Sequence, residues 1–264
     1  MNKYLAVARI TLSNQLRYAF EYFSGLLRNL ITLTTLYFLW TSAFGTRFEL
    51  FGFTHQEIVS YIFMASLLRS LVLSTATAEI GSEIAGSGKF FYYLLKPVGY
   101  LKYWFTLDLV GKTVNTLSFL VIFAIIVNVF NINIIIASPQ HLFLSIILVT
   151  IAIFMNFYIA SLVSFTAFWT NFGWGASFLT MLLIEFLSGL YFPITVLPDW
   201  MERFVYLTPF PYLIYFPSEV LMGRLNIQES ISVIFSALLW VVILYFLGRF
   251  TFAQGLRKYE AQGG

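Results

Sequence analysis

"HLFLSIILVTIAIFMNFYIASLVSFTAFWT", His141 to Thr170, runs for thirty residues without a single lysine, arginine, aspartate or glutamate. An α-helix rises 1.5 Å per residue, so about 20 apolar residues cross the ~30 Å hydrocarbon core of a bilayer. A stretch this long is a membrane span with length to spare for tilt. The rest of the chain agrees. Its 264 residues are 59% hydrophobic and 20% aromatic with only 10% charged, against about 25% charged in a soluble domain, and the mean hydropathy is +0.84.

Working outward from this segment, residues 22–44, 57–76 and 104–130 qualify as spans on its N-terminal side, and 173–191 and 231–249 on its C-terminal side. The sequence therefore predicts an all-α integral membrane protein with six transmembrane helices. Only Asn171, Phe172 and Gly173 separate the fourth span from the fifth, which calls for a tight helical hairpin. There is no internal repeat and no low-complexity linker, so residues 1–264 read as one membrane domain.

Ahead of the first span, Leu5, Ala8, Leu12, Leu16, Ala19 and Phe23 form one helical stripe. Lys3, Ser13, Asn14, Arg17 and Glu21 lie opposite, and Arg9 borders the stripe. This predicts an amphipathic helix on the membrane surface over residues 1–24. Arg9 and Arg17 interrupt any short apolar core, so the segment does not read as a cleavable signal peptide.

Orientation follows from the basic residues. With a cytoplasmic N-terminus, eleven of the fifteen fall inside or at inner helix ends: Lys3, Arg9, Arg17, Arg28, Lys89, Lys96, Lys102, Lys112, Arg249, Arg257 and Lys258. Arg47, Arg203 and Arg224 fall outside, and Arg69 lies within a span. The positive-inside rule places both termini in the cytoplasm of a cell (plasma or inner) membrane.

Between the fifth and sixth spans, residues 192–230 hold five of the seven prolines: Pro193, Pro198, Pro209, Pro211 and Pro217. No long helix runs through such a series, so short re-entrant or interfacial helices are expected before the last span. Phe192, Trp200, Tyr206, Phe210, Tyr212, Tyr215 and Phe216 suit the outer membrane interface.

On the inner side, "GSEIAGSGKFFYYLLKP" from Gly81 to Pro97 ends in a run that imitates a phosphate-binding loop. The imitation fails where it matters. The required first glycine falls on Glu83 and the required hydroxyl on Phe90, so neither the backbone cradle nor the magnesium ligand exists. This chain binds no nucleotide by that route.

Other chemistries are excluded by composition. With no cysteine and only His55 and His141, there is no metal-ligand spacing and no thiol chemistry. Both histidines read as solvated residues beside outer loops. No nucleophile stands near a base, and the modest formal net charge of +3 is spread as membrane orientation, which excludes a nucleic-acid partner. Asn128, Asn131 and Asn133 mark where the third span leaves the bilayer. Asp108 and Lys112, at i and i+4, read as a local pair at the membrane interface.

Two charges lie deep within spans: Arg69 in the second and Glu185 in the fifth. Each costs about 2.5–3.5 kcal/mol on insertion scales, so each needs a partner or water. Counting helix rise places them ~6 Å apart in depth, within reach of an arginine. An ion pair and a place on a subunit interface or substrate path both remain open.

The layout resembles the permease subunit of type-two ABC exporters, the six-helix family of drug, lipid and polysaccharide exporters, over essentially the whole chain. The residues carrying the resemblance are Glu79 and Ile80, the "LLKP" of Leu94 to Pro97, Phe192 and Pro193, Leu197 to Trp200, Pro209 and Phe210, then Pro217 and Gly223. It implies an ATP-driven permease moving a hydrophobic or amphiphilic substrate (drug, lipid, peptide or glycan-lipid) out of the cytoplasm. It implies two copies of a cytoplasmic ABC ATPase as partner, a second permease, identical or homologous, and a lipid bilayer around them. ATP and Mg would sit on the ATPase, with no cofactor or metal on this chain and no enzymatic activity of its own. Residues 79–103 would form the cytoplasmic coupling loop, with Glu79, Ile80, Glu83, Gly86, Gly88, Lys89, Phe90, Phe91 and Leu94 as candidate ATPase contacts. The alternative is an ion-gradient-driven secondary transporter, which wants more ionisable groups at the midplane than Arg69 and Glu185.

Overall fold

The computed structural model describes residues 3–15, 19–73, 77–85, 89–95, 98–170 and 174–259. Helix α1 (Lys3–Gln15) packs along the third long helix of the chain and is followed by α2 (Ala19–Phe44). The surface helix expected over residues 1–24 is thus shorter, because α2 already begins at Ala19. Leu5, Ile10 and Leu12 of α1 are exposed and Ala8 is half-buried; the side chains of Leu16, Arg17, Ala19, Glu21 and Phe23 lie outside the described residues.

A two-residue hairpin, β1 (Glu49–Leu50) and β2 (Phe53–Thr54), joins α2 to α3 (His55–Val72). Phe51 and Gly52 both take positive φ, 53° and 77°, which gives the hairpin a turn that matches strand twist. Thr54 then caps α3 in a capping box with Glu57. Helix α3 is buried almost all round from Ile58 to Ser66, which makes it the central helix of the bundle.

Two short helices follow, α4 (Thr77–Ala85) and α5 (Lys89–Leu95), and then three long ones: α6 (Tyr100–Val129), α7 (Pro139–Phe165) and, after a further short piece and the fifth segment, the last helix. Ser138 caps α7 and Pro139 occupies its first turn, where a missing N–H costs nothing. A one-residue turn at Thr166 separates α7 from α8 (Ala167–Thr170), and α9 (Trp174–Leu187) packs on α7. The connecting Asn171, Phe172 and Gly173 lie outside the described residues.

The proline-rich segment breaks into short pieces, as its sequence demands: a 3-10 turn at Ile194–Val196, α10 (Asp199–Tyr206), a second 3-10 turn at Phe210–Tyr212, and α11 (Tyr215–Leu221). Helix α11 is buried on nearly every side against α3 and α7. The final helix, α12 (Ile227–Lys258), spans 32 residues, opens on an Asn226–Glu229 capping box and ends with Arg257 and Lys258 in its last turn, where the helix dipole favours cations.

Among the described residues three helices are long and apolar enough to cross a membrane: 100–129, 139–170 and 227–258. The other three expected spans are less regular, for identifiable reasons. Helix α2 has 26 residues but carries Arg28, Asn29 and four threonines. Helix α3 has 18 residues with Glu57 and Arg69 among them. Helix α9 has 14 residues, about 21 Å of helix, which is shorter than the ~30 Å hydrocarbon core.

The main core lies between α3, α6, α7, α11 and α12, around Phe53, Tyr61, Phe63, Leu148, Met155 and Ile214. A second, smaller core sits at the end of the bundle that holds α4 and α5. The opposite end holds the hairpin, α10 and α11.

One expectation is corrected by this packing and another is refined. His141 is not a solvated histidine: its Nε2 lies 3.2 Å from the Leu225 carbonyl and its Nδ1 2.8 Å from Ser138 Oγ, so it ties the start of α7 to the loop before α12. His55 remains exposed, 3.2 Å from Thr41 Oγ1. Asp108 and Lys112 form the expected local pair, at 2.7 Å, and no more than 3% of either is exposed, so the pair is buried within the protein. Helices α1, α2 and α3 all pack on α6.

Candidate functional site

Helix α4 meets α7, α8 and α9 through Ile80 and Ile84, which are 0% and 4% exposed. Its polar face divides. Glu79 is exposed, whereas Glu83, one turn on, accepts a hydrogen bond from the indole Nε1 of Trp104 at 3.2 Å and from the Tyr100 hydroxyl at 3.4 Å. Glu83 is therefore engaged within the chain, because Trp104 is itself buried and its N–H needs an acceptor.

Helix α5 divides in the same way. Phe90 is 0% exposed and sits in a cage of rings: Tyr100 and Tyr259 with centroids at 4.9 Å, Phe168 at 5.5 Å and Phe252 at 6.3 Å, all edge-to-face. Such geometry aligns ring edges with ring faces and adds about 0.5–1.5 kcal/mol per pair beyond burial. Phe90 and Ile80, expected as partner contacts, are thus internal anchors. Phe91 and Leu95 point the other way, 46% and 68% exposed. Tyr93 is half-buried and donates to the Tyr103 hydroxyl at 3.2 Å. Burial, with that bond and the nearby Glu83 charge, pushes its hydroxyl well above the ordinary phenol range. Gly86, Gly88 and the side chains of Lys89 and Leu94 lie outside the described residues.

The last helix closes this cage. Phe252, Gly255 and Tyr259 recur at i, i+3 and i+7 on one face. Gly255 is required there: a Cβ at this position would overlap the Phe168 ring. Phe165 adds a ring 5.1 Å from Phe252. The spacing of these residues was visible in the sequence, but nothing in one chain's pattern says that the end of the sixth span lies over α5.

The second constellation is within the bundle. Arg69 Nε and Nη2 donate to Glu185 Oε1 at 3.0 and 2.5 Å, and the Tyr191 hydroxyl donates to Glu185 Oε2 at 2.6 Å. Glu185 is 5% exposed and Arg69 32% by side chain, so the pair is open on the arginine side only. Trp40 Nε1 donates to the Tyr191 carbonyl at 3.1 Å, which brings α2 into the same network. Beside it, Asn156, Ser177, Thr180 and Ile184 help line a cavity of about 30 Å³, room for one water.

These two features, a split-faced pair of short helices after α3 and a neutralised charge pair inside the bundle, sit in a chain whose residues 30–263 match the family model for ABC-2 family transporter proteins. The chain belongs to the ABC-2 transporter family. No match is found among curated proteins. An ABC-2 permease is the membrane component of its transporter and not a catalytic subunit, and permeases of this family generally work with an ATPase. In that setting the α4–α5 unit is a part of this ABC-2 chain that keeps an exposed side, Glu79, Phe91 and Leu95, while its other side is fastened to the bundle.

Proposed function

We propose that this chain is the permease subunit of an ATP-driven exporter, carrying a hydrophobic or amphiphilic substrate out of the cytoplasm. It acts beside a second permease, identical or homologous, and is driven by two copies of a separate ATPase that supplies ATP and Mg. Six spans, with both termini on the cytoplasmic side of the cell membrane, follow from the basic residues and the even number of crossings.

The observation that supports this best is the split face of α4 and α5. Ile80, Ile84 and Phe90 fasten the unit to the bundle, and Phe91 and Leu95 are large apolar side chains exposed beside an acidic Glu79. Aromatic anchors with charges at their rim are what interfaces use. A displacement of the unit by its ATPase passes through Phe90 to Tyr100 of α6 and Phe252 of α12, so the spans move with it. Arg69 and Glu185, which neutralise each other, hold the second and fifth spans together and present the open side of the arginine to the subunit interface or the substrate path.

The test is to purify the tagged chain from its native membrane and identify what co-elutes in stoichiometric amount. A P-loop ATPase is expected, and the Phe91→Ala, Leu95→Ala double variant should lose it while inserting normally. The reading is overturned if the chain elutes alone and moves substrate in ATP-free vesicles under an ion gradient.

A further inference from the structure

The transport reading leaves a buried carboxyl of the proline-rich segment unused. Glu219, in α11, is 5% exposed. Its Oε2 accepts from Arg224 Nε at 3.1 Å, while its Oε1 is buried with no hydrogen-bond partner among the described residues. Arg224 is shared. Its Nη1 donates to Glu57 Oε1 at 3.1 Å, its Nη2 to the Gly52 carbonyl at 3.0 Å, and its guanidinium lies 3.8 Å over the Phe53 ring. Glu57 is already committed to the α3 cap, its Oε2 accepting from the Thr54 N–H and hydroxyl, both at 2.8 Å.

One guanidinium therefore faces two carboxyl groups. With both ionised the cluster carries a net negative charge, and one of its oxygens is a bare lone-pair acceptor in a dry place, an arrangement that costs several kcal/mol. A proton on Glu219 removes both problems. Burial raises the Glu219 carboxyl, the Arg224 guanidinium pulls it back and Glu57 pushes it up further, to about 7.

The surroundings contribute little else that is charged. From α3 come Glu57 and Tyr61; from α7, His141 at the Leu225 carbonyl and Ser145, whose hydroxyl donates to the Pro217 carbonyl at 2.9 Å; from the second 3-10 turn, Tyr212; from α10, Tyr206, whose hydroxyl donates to that of Tyr215 at 3.3 Å. Arg224 supplies the positive charge that the two glutamates share.

We propose that Glu219 is a proton-binding site of the segment between α9 and α12, taking up a proton so that Glu57, Arg224 and Glu219 together become neutral. This does not depend on how the permease is driven, since it rests on the geometry of one chain. The raised value fixes the sign of its effect. A carboxyl held above its unfolded value stabilises the fold fully at acidic pH, and that stabilisation fades as pH rises through the folded value, near neutrality. The packing of α11 between α3 and α7 is then firmer on the acid side.

The full-length chain in lipid nanodiscs, titrated from acid to alkaline pH by infrared spectroscopy, tests this. A protonated-carboxyl carbonyl band should disappear with a midpoint near neutrality and be missing in Glu219→Gln, which keeps an oxygen for Arg224. In Glu57→Gln the midpoint should fall, because a neighbouring negative charge is gone and Arg224 turns wholly to Glu219. No such band, a band that survives Glu219→Gln, or an unmoved midpoint in Glu57→Gln overturns the proposal. The titration is run with sodium and with choline as the only cation; a midpoint that depends on sodium replaces the proton with a metal cation and also overturns it.

Discussion

The indole of Trp104 donates to the carboxylate of Glu83 across 3.2 Å, joining α4 to the start of α6. Neighbouring Glu79, on the same helix, is exposed. Two glutamates one turn apart thus have different work, one holding the unit in place and one facing outward.

Glu83→Ala leaves a buried indole N–H without an acceptor, a loss of about 1–3 kcal/mol. Thermal unfolding in lipid should show a lower Tm for Glu83→Ala and an unchanged one for Glu79→Ala, since exposed substitutions stay within about 0.5 kcal/mol. Equal effects from the two would mean that Glu83 does not fasten α4.

Removing Arg69 alone strands the buried Glu185 carboxylate. Breaking a buried pair from one side costs about 3–5 kcal/mol, while replacing both partners by apolar residues is often neutral. Arg69→Ala should therefore be much less stable than Arg69→Met combined with Glu185→Leu. If the double variant is stable and has lost only transport, the pair serves the substrate path or the subunit interface; if transport survives, its service is structural.

Gly255→Ala pushes a methyl group into the Phe168 ring. Overpacking of this kind costs about 1–3 kcal/mol. The change should lower Tm, and Phe168→Leu on the same chain should restore part of it by vacating the ring edge. Restoration measured in the double variant, and not in Phe168→Leu alone, identifies the contact.

The membrane character, the breaks at the prolines and the depth match of Arg69 with Glu185 were legible because each rests on a local rule: hydropathy, a missing N–H, a helical rise. The split between Phe90 and Phe91 was not. Adjacent phenylalanines are identical to any periodicity argument until the rings of Tyr100, Phe168, Phe252 and Tyr259 are known to surround the first. Arg224 escaped notice for the same reason. Its partners Glu57 and Gly52 are more than 160 residues away in sequence, so their convergence exists only in three dimensions. His141 was misjudged, and the burial of the expected Asp108–Lys112 pair was not foreseen, because sequence shows a residue's own helix and not the one laid over it.

Helix α12 begins at Ile227, three residues after Arg224, and its far end runs past Phe252 to the cage around Phe90. At 32 residues it is about 48 Å long, and an α-helix changes its length very little. Its one end is seated in the rings around Phe90 and its other lies beside the Arg224 cluster, and in the proposed transport cycle it would act as a push-rod between the two ends of the bundle.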